Sequence, residues 1–424
     1  MHAADLALRD LWTHLDAAVP PPVPEWVGPS TGLACPLPVE ALALGAVACA
    51  AGAAGDRAPR IDLARVGSSF RADQLLRVDG VAPGGFAPLS GFWPAADGWV
   101  RTHANYPHHR ARLLAALAVP DGEAAEDGVA DAIAARPALE TEELVVGSGG
   151  IAVAVRDRDA WSPSAPGRAV AGEPLVAIRR TERPAVVVDR PPRVLDLTRV
   201  IAGPVATRTL ALTGADVLRV DPPTMPELPA QHLDTGLGKR TTILDAADPR
   251  LRELIDTADV VVTGYRPGAL DAFGLEPEAL LARRPGLVVV RLDAWGWTGP
   301  WAGRRGFDSI VQAASGIAVA CGSDERPGAL PAQALDHATG YLTAASALLG
   351  LAERATRGGS VRELSLARTA EWLWAHPELV TTADAVEPVR QSLGRVEVPP
   401  PVFGGIWAAP AHELGADDPS WARG

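Results

Sequence analysis

The segment ALDHATGYLTAASALLGL (334–351) sets an aspartate at the head of an apolar, helix-patterned run. Two chemistries suit Asp336. As a helix cap, its carboxylate accepts the free backbone N–H groups of the first turn. As a nucleophile, it attacks an activated carbonyl and splits one difficult exchange into two easier ones. The roles are compatible. N–H groups and the helix dipole favour the anion, and they can also receive an oxyanion. Local chemistry alone favours the cap.

Cations and turns that suit an anionic ligand lie nearby in the chain. GLGKRTT (236–242) carries Lys239, the only lysine, beside Arg240. Arg follows the Lys where a nucleotide-hydrolysing loop has Ser or Thr, and a strand pattern follows instead of a helix, so that reading fails. The pair is either a phosphate contact or a solvated turn. TGYRPGAL (263–270) sets Tyr265 and Arg266 at the end of an apolar run. There Arg can pair two phosphate oxygens, or the residues form an ordinary turn. IAGP (201–204) joins a strand to a helix without the G-x-G-x-x-G series of dinucleotide sites. WGWTGPWAGRRGFDSIVQAASG (295–316) is either a ligand loop or a tryptophan-packed seam, with Asp308 most simply a helix cap. The histidines of THANYPHHR (102–110) have no partner at ligand spacing, so no metal site is expected.

These residues need a frame. RVLDLTRV (193–200), DVLRVDPP (216–223), TTILD (241–245), VVVTGY (260–265) and GLVVVRLDAW (286–295) are apolar strand patterns. Helical patterns alternate with them, which predicts a parallel sheet covered on both faces: a doubly wound α/β domain over 193–385. Its ligand crevice belongs beyond the carboxyl ends of the strands. Residues 1–80 carry a helix at 38–54 and a strand in PRIDLARV (59–66), and are assigned to complete that domain. Residues 81–182 form a smaller α+β domain that includes the strand PLVAIRR (174–180). Residues 183–192 form a proline-rich linker, and 386–424 a Pro-rich C-terminal extension. Residues 39–68 also echo 337–370, with Pro38 where Asp336 stands.

Composition narrows the function. The chain has 424 residues, 47% of them apolar, and a net charge of −12, which argues against nucleic acid as a partner. Cys35, Cys49 and Cys321 lack metal-ligand spacing and read as reduced thiols of a cytoplasmic protein. No apolar stretch is long enough to span a bilayer.

Taken in order, RVLDLTRVIAGPVATRTLALTGADVLRVDPP, GKRTTILD, ADVVVTGYRPGALDAFGL, WTGPWAGRRGFDSIVQAASG, ALDHATGYLTAASALLGL and GGSVRELSLARTA resemble the class III CoA-transferases. That group includes formyl-CoA transferase, carnitine CoA-transferase and α-methylacyl-CoA racemase. The resemblance spans roughly 191–372. It implies a Rossmann-like CoA-binding domain, with Asp336 as the nucleophile that becomes an aspartyl–CoA thioester. It also implies CoA contacts from Val200, Ile201 and Ala202, from Lys239 and Arg240, from Gly264, Tyr265 and Arg266, and from Arg305, Gly306, Phe307 and Asp308. The implied partners are an acyl-CoA and a small carboxylic acid, with no metal, in an interlocked homodimer. The smaller domain follows the large one in typical members and precedes it here, so the order looks circularly permuted.

The departures matter too. Phe307 stands where the racemases carry a histidine, which weakens an isomerase reading. Gly264, Pro222 and Ala272 replace residues that usually contact CoA, leaving a non-catalytic acyl-CoA binder as a further alternative. The expectation is therefore a CoA-transferase that moves CoA from a thioester to a carboxylic acid.

Overall fold

The computed structural model describes residues 3–187, 189–382 and 384–422. Its centre is a seven-stranded sheet in the order Arg240–Ile243, Asp216–Asp221, Arg193–Leu197, Val260–Thr263, Val288–Asp293, Ser360–Ser365 and Ala177–Arg180. The first six strands are mutually parallel, and the last pairs antiparallel at the edge. Their β-branched side chains suit a sheet buried on both faces. Val194, Val260, Val262, Val288 and Val290 point to one core, with helices Val39–Ala53, Ala202–Leu212 and Ala334–Arg357. Leu195, Val261, Leu287 and Val289 point to the other, with helices Pro249–Thr257 and Pro277–Arg283. The chain works outward from Arg193–Leu197, then returns to place Val260–Thr263 on that strand's other side. The turns after these two strands therefore diverge, leaving a crevice at their carboxyl ends.

Two placements differ from expectation. The strand within 174–180 joins the large sheet instead of the smaller unit, pairing Ala177–Arg180 with Ser360–Glu363. A short strand pattern carries no mark of which sheet will accept it. Here Arg180 is fastened to Glu353 at 2.8 and 2.9 Å and to Asp16 at 2.8 Å. In PRIDLARV only Arg60–Asp62 is strand, because Asp62 accepts the Arg65 N–H at 3.1 Å and starts a helix at Leu63.

The smaller unit sets strands Phe92–Ala95, Gly98–Thr102 and Ala152–Ala154 against helices Pro107–Leu117, Ala125–Ala134 and Ala138–Gly147. The last 39 residues are not a bare extension. Gln391–Leu393 and Val396–Val398 form a hairpin that pairs with Arg77–Val78. Beyond it, Asp417 bonds Thr241 on the sheet's other edge.

The echo between 39–68 and 337–370 has a structural counterpart. Helix, strand and helix recur as Val39–Ala53, Arg60–Asp62, Leu63–Phe70 and as Ala334–Arg357, Ser360–Ser365, Leu366–Ala375. Leu-Ala-Arg opens the last helix each time, capped by Asp62 or by Ser365 onto the arginine N–H. The two long helices pack on each other. Cys35 and Cys321, remote in sequence, lie with their sulfurs 3.4 Å apart as free thiols. Among the described residues no helix is long and apolar enough to cross a membrane, and no group of three metal-ligating side chains gathers.

Gly340 permits the close approach that seats Asp336. A Cβ there would lie 2.5 Å from the Ala202 carbonyl oxygen and 3.0 Å from Val205, so the helices at 202–212 and 334–357 could not touch. Gly340→Val is expected to destabilise the chain by about 2–3 kcal/mol, read as a lower urea midpoint with an unchanged slope. An unshifted midpoint would show that the helices are free to separate.

Candidate functional site

The turn after Arg193–Leu197 is held from beneath by buried charges. Asp196 Oδ1 accepts the Thr198 N–H at 3.0 Å. Its Oδ2 accepts Thr207 Oγ1 at 2.6 Å and Lys239 Nζ at 3.0 Å. Lys239 is 2% exposed and spends its other donors on the Pro204 carbonyl and Thr207 Oγ1. Burial brings its ammonium down to about 8, opposed by Asp196. It therefore ties strand to helix and does not reach a ligand. Arg240 is held by the Ser420 carbonyl at 2.7 Å and lies beside Asp216 and Asp417.

Val200 takes φ +71°, an uncommon conformation for a β-branched residue, costing roughly 1–3 kcal/mol. Glu227 holds it there by accepting the Val200 N–H at 2.7 Å. The same carboxylate accepts Tyr106 Oη of the smaller unit at 2.7 Å and Arg219 Nη2 at 3.1 Å. Burial alone would push Glu227 up, but Arg219 and these donors hold it below the usual range.

The long helix starts at Ala334, with Gln333 at the cap position and making no side-chain cap bond. Asp336 is therefore inside the first turn and is not the cap. Asp308 takes that part from the neighbouring helix, accepting the Asp336 N–H at 2.9 Å and also bonding the Leu335 N–H. Gln312 donates to the other oxygen of Asp308 and is itself fixed by the Leu330 N–H at 2.9 Å. The helix N–H groups expected to keep Asp336 ionised, or to hold an oxyanion, are already taken.

Asp336 is 6% exposed, and among the described residues no donor reaches its carboxyl oxygens. Burial first, then Asp308, then Asp73, hold it well above the carboxylate range. Asp308 is raised to about 7 by burial, against its N–H and amide donors. With those donors, Asp308 is the better anion, and Asp336 is the group that keeps its proton.

Asp336 opens into a cavity of about 800 Å³ that Val200, Ile201 and Phe307 also line. Loop residues 82–87, with Pro83, Gly84 and Gly85, cover one side. His103 of the smaller unit stacks on Phe307, with ring centroids 3.8 Å apart at 9°. It lines the same cavity, and burial brings its imidazole down to about 3. The adjacent rings of His108 and His109 have centroids 4.0 Å apart.

Other candidate residues sit around this cavity without lining it. Ala202 begins its helix facing Gly340. Gly306 packs on Trp295, whose indole N–H donates to the Arg305 carbonyl at 3.1 Å within a Trp161–Trp295–Trp301 cluster. Tyr265 is partly buried against the core under the sheet, and Gly264 is exposed next to it. Arg266 and Arg305 join a cationic cluster with Arg112 and Arg199, two residues that sequence reasoning passed over. The Nη1 atoms of Arg112 and Arg305 are each 3.6 Å from the position of a Cβ on Gly149. Burial, then Arg266 and Arg112, lower Arg305. Arg112, Arg199 and Arg266 each donate to a backbone carbonyl. Among the described residues none of the four has a carboxylate partner. None of the four lines the cavity, but Arg199 and Arg305 lie one and two residues before its lining residues Val200 and Phe307. In a chain of net charge −12, these four arginines are left without a counter-charge.

The model of CoA-transferase family III matches residues 192–403, half of the chain. The chain belongs to CoA-transferase family III. An acetyl-coenzyme A transferase, nodX, of Hypoxylon pulicicidum is 37% identical over 193 residues, covering 43% of this chain and 32% of that protein. An acyl-CoA transferase of Gibberella moniliformis is 32% identical over 294 residues, 62% and 52% of the two chains. A probable fatty acyl-CoA transferase, Rv3272, of Mycobacterium tuberculosis is 34% identical over 184 residues, 39% and 47% of the two chains. A crystal structure of Rv3272 aligns with a TM-score of 0.42 at 32% identity, covering 46% of this chain and 59% of that one. This family III chain thus spans about a third to a half of the length of the curated relatives named.

A buried, protonated Asp336 has a consequence for stability. Above the unfolded-chain value of about 4, the unfolded state loses this proton while the folded state keeps it, so stability falls as pH rises toward the raised folded value. Asp336→Asn removes that loss. It is expected to stabilise the chain by on the order of 1 kcal/mol near pH 8 and by little near pH 4, measured by urea unfolding at both. A variant less stable than wild type near pH 8 would contradict a neutral Asp336.

Proposed function

We propose that this chain is a CoA-transferase acting on an acyl-CoA donor and a carboxylic acid acceptor, with Asp336 as nucleophile. The observation that carries this reading is an unpartnered carboxyl group, buried and opening into a large cavity, with unneutralised arginines next in the chain to its lining. The arginines suit the phosphates of CoA, and the apolar walls around Asp336 suit an acyl group. In this reading the chain is doubly wound and Rossmann-like, with its smaller domain permuted to precede the matched segment. It acts in the cytoplasm as an interlocked homodimer.

The chemistry follows from Asp336. Once ionised, a carboxylate oxygen attacks the donor carbonyl carbon. The C–S bond breaks, CoA leaves as the thiolate, and Asp336 holds a mixed anhydride. Thiolate attack on the Asp336 carbonyl carbon then releases the donor's carboxylate and leaves an aspartyl–CoA thioester. The acceptor carboxylate attacks that thioester, and the same two steps run in reverse. Covalent catalysis conserves the thioester's energy throughout. Phe307 and His103 exclude water from the anhydride.

One observation favours an isomerase as second reading. His103 brings a neutral imidazole, with a buried unpartnered Nδ1, into the cavity beside Asp336. Such a group can take an α-proton while Asp336 returns one to the other face.

Intact-mass analysis after incubation with acyl-CoA thioesters separates these readings. Wild type is expected to gain the mass of CoA less water, and Asp336→Ala to gain nothing. Adduct formation is expected to accelerate by roughly tenfold per pH unit below the raised pKa, because the attacking form is the anion. Binding without an adduct would leave a non-catalytic binder. Solvent deuterium entering the α-carbon without an adduct would select the isomerase.

The arginine cluster has its own test. The double variant Arg266→Ala/Arg305→Ala is expected to weaken free CoA binding by about 10- to 100-fold in calorimetry, with a shallower dependence on salt. An unchanged affinity would place the phosphates elsewhere.

A further inference from the structure

Among the described residues, the cavity's lining contains no lysine or arginine but has three aspartates, Asp73, Asp234 and Asp336. Asp234 is neutralised, accepting Arg208 Nη1 at 2.9 Å. Asp73 and Asp336 are not. Asp73 projects from the short helix Ala72–Leu75, in the portion of chain that precedes the family-matched segment. Its Oδ1 is buried and, among the described residues, has no hydrogen-bond partner. It is close enough to raise both Asp336 and Asp308 electrostatically, and is itself raised to about 6 by burial and by Asp234. Arg101 lies 4.8 Å over the Phe86 and Phe92 rings and is not among the residues that line the cavity. Leu76, Phe86, Ile201 and Leu228 make most of the remaining wall apolar.

We infer that Asp73 is a specificity-determining residue, and that the site takes acyl groups bearing no second negative charge. This deepens the CoA-transferase reading and rests on it. A dicarboxylic acyl group would bring its remote carboxylate between apolar walls that offer it no cation and carry the uncompensated Asp73, beside an Asp336 that becomes a second negative charge once it ionises. Like charges a few ångströms apart in such a medium repel strongly, and a specificity filter of this kind works by exclusion. An acyl group of the same shape without the charge meets no such repulsion, and the lining offers it apolar wall and the neutral amides of Asn105 and Gln231.

Three thioesters matched in size make the test: succinyl-CoA, its neutral semi-amide succinamyl-CoA, and the apolar isocaproyl-CoA. Affinities for the full chain are measured by calorimetry beside free CoA. Succinamyl-CoA and isocaproyl-CoA are expected to bind about a hundredfold more tightly than succinyl-CoA. Asp73→Asn is expected to narrow the succinamyl-to-succinyl ratio roughly tenfold. Should free CoA and all three thioesters fail to bind, the CoA reading falls and this inference with it. Should CoA bind while the wild type treats succinyl and succinamyl alike, only the inference is overturned. A preference that Asp73→Asn leaves intact removes Asp73 from the role.

Discussion

The site depends on one carboxylate that never faces the cavity. Asp308 reaches from one helix to cap another, taking N–H groups from the first turn of Ala334–Arg357. This fixes where Asp336 stands and what state it is in. The cap uses the donors that would otherwise solvate the Asp336 carboxyl, and sets a negative charge behind it. A carboxyl group denied donors and water keeps its proton. Placement and activation of the acid are thus one interaction. Gly340 completes it, because the helix can carry Asp336 to the crevice only if it lies almost on the backbone of Ala202–Leu212.

A second constraint joins the two units at the same place. Val200 is held in a strained backbone conformation by Glu227, which also bonds Tyr106 from the smaller unit and Arg219 from the sheet. Strain at such a turn persists only where its surroundings over-determine it. Asp196 and Lys239 supply the other half of that support from within the domain. The chain's single lysine therefore serves the turn's geometry, and the arginines around it remain for anions. Glu227 is thus one carboxylate shared by the strained Val200 and by Tyr106 of the smaller unit.

Much of the frame could be read from the chain. Runs such as Val260–Val262 and Val288–Val290 are apolar at every position, as a strand buried on both faces of a sheet requires. Asp336 was legible as a candidate because an acid before an apolar helix is chemically conspicuous. Its environment was not. The cap from Asp308, twenty-eight positions earlier, is a tertiary contact that no local pattern records. Lys239 misled for a related reason: a lysine in a glycine-containing turn looks like a ligand contact until its three donors are seen to be occupied. Arg112 lies in an unremarkable helix, Asp73 in a four-residue one, and neither belongs to a motif. Arg199 had the clearest signal, one residue before the candidate turn.

The charge distribution then bears on how the two ends of the proposed substrate cooperate. The arginines gather where phosphates would sit, and the uncompensated acids gather at the reacting end. A neutral Asp336 presents no repulsion to an incoming thioester, but it is inert until ionised, and ionisation of a buried carboxyl beside Asp308 and Asp73 is costly. Groups remote from the reacting centre can offset such a cost, because their binding energy need not appear as tighter ground-state affinity. On the proposed reading, the nucleotide end supplies that energy through Arg112, Arg199, Arg266 and Arg305. The acyl end meets a nucleophile whose raised pKa makes its anion more basic, and hence more reactive toward a carbonyl, than an ordinary carboxylate. A carboxylate stabilised by the helix N–H groups would ionise easily and attack poorly. By giving those N–H groups to Asp308, the fold trades easy ionisation for reactivity.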